Sequence, residues 1–187
     1  LDNYYWLSHT KIGDASFVET KLYYTTYSDQ LFSYDDPDQT TQKKPYAFQS
    51  FYDDWALGGS VTAGTDLTEW DTVKAAFHYR RDEHNETQAY NVAGNSCASA
   101  PCFMEPNQKS VEDTYSVALE NTIHATRRLD LVGGISYDWR NLYIAQDFAD
   151  NVLFDYPLQD ADAFNWQAAS VWRYTDTETF HASVSDR

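Results

Sequence analysis

The chain has 187 residues, a formal net charge of −16, a pI near 4.4 and an aromatic content of 17%. Such acidity argues against nucleic acid as a partner, because duplex binding runs on Lys and Arg against phosphate. No apolar run approaches the roughly 18–20 residues of a membrane-spanning helix, but negative mean hydropathy leaves membrane barrels open, since their strands hide half their residues from lipid.

In chain order, YYWLSHTKI (4–12) reads as a strand whose facing the sequence leaves open, and SFVETKLYYTTY (16–27) as a strand with a weak apolar face. WALGGSVTA (55–63) sets Trp55, Leu57, Val61 and Ala63 against Ala56, Ser60 and Thr62. TVKAAFHYRRD (72–82) alternates without a fault, with Val73, Ala75, Phe77 and Tyr79 opposite Lys74, Ala76, His78 and Arg80. The same period of two runs through TYSVALENTIH (114–124), RLDLVGGISYDWR (128–140), NWQAASVWRY (165–174) and FHASVSDR (180–187). Successive side chains of a strand point to opposite faces, so each segment has one oily face and one polar face. No amphipathic 3.6-residue pattern competes with this reading.

These segments predict an all-β, antiparallel up-and-down meander of about eight strands, each about 9–13 residues long. Ordinary globular strands average about 5–6 residues, whereas a tilted strand crossing a bilayer needs about 9–11. The connections alternate strictly between short turns and long polar loops, the long ones at 29–50, 83–113 and 141–164. Outer-membrane barrels have this asymmetry, with tight periplasmic turns on one rim and long extracellular loops on the other. Trp55, Tyr79, Tyr115, Tyr137, Trp139 and Trp166 fall at the long-loop ends of their strands; Trp70, Trp172, Tyr174 and Phe180 fall at the short-turn ends. Two aromatic girdles around an aliphatic band suit a surface where oil meets water, which puts the oily face outside. The polar face, with Glu19, Lys21, Lys74, His78, Arg80, Glu120, Asp138, Arg140 and Arg173, would line the lumen.

Catalytic and metal motifs are weak. His9, His78, His84, His124 and His181 are spread over different strands and read as polar lumen residues. No cofactor or enzymatic activity is expected. YDDPDQT (34–40) is a Pro-punctuated acidic loop before it is a Ca²⁺ site. Cys97 and Cys102, spaced C-x4-C in one polar loop, suit a small disulfide staple, with two free thiols as the alternative.

SFYDDWALGGSVTAGTDLTEWDTVKAAFHYRRDEH, VEDTYSVALENTIHATRRLDLVGGISYDWR and DADAFNWQAASVWRYTDTETFHASVSDR resemble barrel segments of TonB-dependent outer-membrane receptors. The resemblance covers most of the chain as a pattern of strand and turn, with no single diagnostic motif. It implies a bacterial outer-membrane location, with one segment, 1–187, of a barrel of roughly twenty-two strands. The plug domain, through which a TonB-type energy-coupling protein would act, lies outside this chain. The implied activity is uptake of a scarce nutrient, commonly a ferric siderophore or a cobalamin-like chelate. The mouth-proximal inward residues implied to meet it are Asp54, Arg80, Asp82, Asp138, Arg140 and Asn165, joined by the loop around Cys97–Cys102. Two other readings fit parts of the pattern: a complete eight-stranded outer-membrane barrel, porin-like or structural, and a soluble all-β module that binds glycans through surface aromatics. An eight-strand piece alone would have raw edges, and would be expected to curl closed or pair with a second copy.

Overall fold

The computed structural model describes residues 1–42, 48–91 and 102–186. Among these, the regular elements are all strands: β1 (Asp2–Ile12), β2 (Ser16–Phe32), β3 (Phe48–Thr68), β4 (Asp71–Asn91), β5 (Cys102–Met104), β6 (Gln108–Thr126), β7 (Leu129–Ala149), β8 (Val152–Asp155), β9 (Ala161–Trp172) and β10 (Phe180–Asp186). They form one antiparallel sheet in which β1, β2, β3, β4, β6, β7, β9 and β10 follow each other in space as in sequence, while β5 adds to the end of β4 and β8 to the end of β7. No pairing joins β1 to β10 among the described residues, so the sheet stays open rather than curling shut.

The registers carry the alternation from strand to strand. Val61 pairs with Phe77, Phe77 with Val117, and Val117 with Tyr137, so one apolar face runs unbroken across the sheet. One residue away, Ser60 pairs with His78, His78 with Ser116 and Ser116 with Asp138, which builds the polar face. The facing of β1 is settled by its neighbour: Trp6 opposes Leu22 and Tyr4 opposes Tyr24 on the apolar face, which leaves Tyr5, Leu7 and His9 on the polar one.

Almost nothing is packed against this apolar face. Ala56, Ala89 and Val111 are the only buried hydrophobic residues described, while Val61, Leu119, Ile135 and Val184 are 47–56% exposed. The accessible surface is 12552 Å², against about 9,200 Å² for a compact monomer of this mass. A soluble sandwich would bury these side chains in a second layer. Here the sheet's oily side is its outside.

The strands are longer than their sequence pattern. β3, β4 and β7 each have 21 residues, roughly 70 Å of strand. Tilted by about 40°, they rise about 50 Å, twice the apolar band of about 25 Å in an outer-membrane barrel. The upper ends of β4 (83–91) and β7 (141–149), and residues 48–50 of β3, stand within the stretches read from sequence as long loops. Sheet hydrogen bonding continues there although the outward residues turn polar, with Glu83 opposing Val111 and Asn85 opposing Lys109. A tight turn at Asp150–Asn151, both at positive φ (53° and 62°), folds β8 back on β7. Asp and Asn tolerate that left-handed conformation, and two such residues match the twist of the hairpin. At the other rim Gly13, at φ +66°, closes the β1–β2 turn.

Candidate functional site

The polar face is a wall of paired groups at three heights. At the short-turn end, Asp130 accepts from Arg173 Nη2 at 2.6 Å and meets His124 Nδ1 at 2.8 Å. At mid-height Lys74 Nζ donates to Glu120 Oε1 at 3.1 Å. The Tyr23 ring crosses β3 over Gly58, and its hydroxyl meets His78 Nε2 at 3.2 Å. Only a glycine leaves room for that crossing, because a Cβ at position 58 would collide with the Tyr23 ring end and stand 2.7 Å from the Tyr79 carbonyl oxygen.

The long-loop end holds the six residues expected from sequence, in separate pairs rather than one constellation. Arg80 grips its i+2 neighbour Asp82, with Nε donating to Oδ2 at 2.7 Å and Nη2 to Oδ1 at 2.5 Å. Asn165 Nδ2 donates to Asp138 Oδ2 at 2.6 Å and to Ser136 Oγ at 3.2 Å. Asp54 Oδ1 accepts the Asn85 backbone N–H at 3.0 Å and lies 2.9 Å from His84 Nδ1. Arg140 reaches Glu112 at 3.4 Å.

Glu112 and Glu86 were not singled out by the sequence reading, because residues 83–113 read as loop, and His84 was read only as one of five scattered polar lumen histidines. Glu86 accepts from Ser50 Oγ and Gln88 Nε2, both at 2.8 Å. The only signal for this set was even-numbered spacing continued past Asp82, and its outward partners are too polar to make that spacing visible. The staple expected across Cys97 and Cys102 falls on Cys97, which lies outside the described residues, and no disulfide is present among those described.

No group of three or more His, Cys, Asp or Glu side chains among the described residues is arranged to hold a metal. In the acidic 34–40 loop, Asp36 serves the turn instead: it accepts from Thr41 Oγ1 and Thr41 N at 2.7 Å each and from Thr40 N at 3.1 Å. Those donors, the Thr41 hydroxyl first, lower its carboxyl to about 2.

A concavity of about 720 Å³ opens on the polar face between β1 and β4. Tyr5, Lys21, Tyr23, Ser60, His78 and Arg80 are among the residues lining it.

The apolar face has its own order. Tyr79, Tyr115 and Trp139 form a row at the level expected for the upper girdle, with ring centroids 5.1 and 5.3 Å apart, and Tyr137 adjoins Trp139 at 6.0 Å. Trp55 stands at this end against Tyr24 at 6.2 Å, and Trp166 opposes Ile135 further along. At the short-turn end Trp172 lies 5.8 Å from Tyr174 and opposes Phe180; Trp70 projects there, 56% exposed. Directly above the upper row, Arg81 Nε and Nη2 donate to Asp113 at 2.7 and 2.9 Å, and Asp113 also accepts from Tyr79 and Tyr115.

Residues 2–186 match the family described as TonB dependent receptor-like, beta-barrel. The chain belongs to this TonB-dependent receptor family. No curated protein sequence matches it. Among solved structures it is similar to the copper transporter OprC, at 15% identity and a TM-score of 0.73, covering 98% of this chain and 29% of that one. It is also similar to the ferric-catecholate import receptor Fiu from E. coli K12. The open form gives 12% identity and a TM-score of 0.62, and the closed form 11% and 0.60; both cover 98% of this chain, with 34% and 32% of theirs. The chain thus spans about a third or less of these receptors. In a barrel of this family the polar face of such a sheet lines the lumen.

Proposed function

We propose that the whole protein imports a scarce nutrient chelate across the bacterial outer membrane, and that these strands form part of its lumen wall and extracellular vestibule. The observation that carries this reading is the unbroken polar wall of a TonB-dependent receptor barrel, set behind a face so apolar and so exposed that lipid must cover it. The cargo class is a metal chelate such as a ferric siderophore or a cobalamin-like chelate; the similar receptors are named for copper and ferric catecholate. Asp54, Arg80, Asp82, Asp138, Arg140 and Asn165 meet cargo from the wall, joined by the loop around Cys97–Cys102. Trp55, Tyr79, Tyr115, Tyr137, Trp139 and Trp166 anchor the outer interface, and Trp70, Trp172, Tyr174 and Phe180 the inner one. Energy arrives from a TonB-type protein through a plug domain, so these strands alone transport nothing.

The test is accumulation of ferric-chelate and cobalamin probes by cells producing the full-length protein. Accumulation that stops when the inner-membrane proton gradient is collapsed supports the reading. Accumulation indifferent to the gradient, or none for any chelate, refutes it.

A further inference from the structure

We propose that the concavity between β1 and β4 is an oxyanion subsite of the lumen wall, anchored by Lys21. The proposal rests on the import reading and names one chemical group of the cargo, a carboxylate or a phosphate.

Charge pairing along the wall singles out this lysine. Among the described polar-face cations, Lys74, Arg80, Arg140 and Arg173 each have a carboxylate partner. Lys21 has no ion pair, and its ammonium lies 5.4 Å from the centroid of the Tyr23 ring. The nearby carboxylate of Glu19, two residues back on the same face, is turned to His9 at 3.0 Å. Lys11 also lacks an ion pair, but it stands beside the β1–β2 turn and does not line the concavity.

Several other groups around the concavity can donate. Arg80 uses Nε and Nη2 on Asp82, which leaves the Nη1 hydrogens available. The hydroxyls of Tyr5, Tyr23 and Ser60 share the lining with the His78 ring and the Leu7 side chain, and no carboxylate belongs to it. Further along the same wall stand Asp54, Asp82, Glu86 and Glu112, and Asp138 lies in the row of Ser60 and His78 but on β7, outside the lining, so the donor-rich patch is local. Lys21 is exposed on this wall, so its ammonium, with no carboxylate partner and with hydroxyl donors lining the same concavity, is free to meet an acceptor with negative charge. A volume of about 720 Å³ is far larger than one phosphate and falls in the range that holds a drug-sized molecule. The oxyanion is therefore one corner of a larger cargo, whose body lies against the polar-face rings of Tyr5 and Tyr23.

The experiment is isothermal titration of the full-length protein in detergent with two probes, citrate and inorganic phosphate. Lys21→Ala, Lys21→Arg and, as a control on the same wall, Lys74→Ala are measured beside the wild type. Loss of one charge-assisted contact predicts binding weakened roughly tenfold by Lys21→Ala. Lys21→Arg, which keeps the charge, stays within about threefold of wild type, and Lys74→Ala leaves binding unchanged. Tighter citrate assigns the group to a carboxylate and tighter phosphate to a phosphate; either supports the subsite. Absence of binding in the wild type, or equal losses for Lys21→Ala and Lys74→Ala, overturns it. Gradient-dependent uptake without Lys21-dependent binding removes the subsite alone. Lys21-dependent binding without uptake removes the import reading alone.

Discussion

Arg81 and Asp113 form an ion pair on the face that elsewhere is oily, at the level where the girdle ends. The Asp113 side chain is 4% exposed and that of Arg81 39%. Replacing Arg81 by Ala leaves a buried carboxylate without its cation, a loss that costs about 3–5 kcal/mol in a closed interior. Two features reduce it here. Tyr79 and Tyr115 still donate to Asp113 at 3.1 and 3.3 Å, and a partly exposed site admits water and headgroups. The expected cost is about 2 kcal/mol, close to a thirtyfold rise in the unfolded fraction. Removing both charges together, as Arg81→Met with Asp113→Leu, leaves no orphan and places apolar groups against lipid, so it returns most of that stability. The assay is urea unfolding of the full-length protein in phospholipid vesicles, followed by sheet signal and Trp fluorescence. A single variant as stable as wild type, or a double variant no better than the single, would refute the reasoning.

Gly58→Ala forces the Tyr23 ring off β3 and presses on the Tyr79 carbonyl, so it costs about 1–3 kcal/mol in the same unfolding assay. Phe103→Ala removes the ring stacked between Tyr90 and Phe148, at 5.5 and 5.9 Å; limited proteolysis should then cut the tips of β4 and β7 faster while the membrane-embedded strands stay protected. The Asp36 carboxyl, lowered to about 2 from 3.8, stabilises its loop above the unfolded value, and that contribution disappears as pH falls toward 2. Carbon NMR of the Asp36 carboxyl should show the low midpoint, and Thr41→Val should raise it; a midpoint unmoved by Thr41→Val would mean that the hydroxyl is not its cause.

The part of the fold inside the lipid was legible because two solvents act on it. Val73, Ala75, Phe77 and Tyr79 meet oil while Lys74, His78 and Arg80 meet water, and that opposition writes the period of two. Above Arg81 both faces meet water, so Glu83, Asn85 and Lys109 stand where apolar residues would have marked a strand. The extension of β4 and β6 was therefore read as loop, and β5 and β8 were not expected at all. The Asp150–Asn151 turn was present in the letters but lay in a stretch without alternation to flank it. β1 was ambiguous for the opposite reason: Tyr4 and Trp6 on one side and Tyr5 and Leu7 on the other are all apolar, and only the pairing of Trp6 with Leu22 decides between them. In the site, Arg80 and Asp82 could be placed from their i, i+2 spacing. The partners His84, Glu86 and Glu112 depend on the register of strands that the pattern did not reveal.

A sheet with three buried hydrophobic residues among those described has no interior to retreat to before lipid reaches it. On the way to the membrane, Val61, Leu119 and Ile135 would be bare to water, and strand edges with such faces invite aggregation. The net charge of −16 then acts during transit as well as in the finished barrel. Mutual repulsion among 29 acidic side chains keeps the unfolded chain expanded and its copies apart. Acidity of this size favours a chain that stays soluble until a bilayer takes the place of a core.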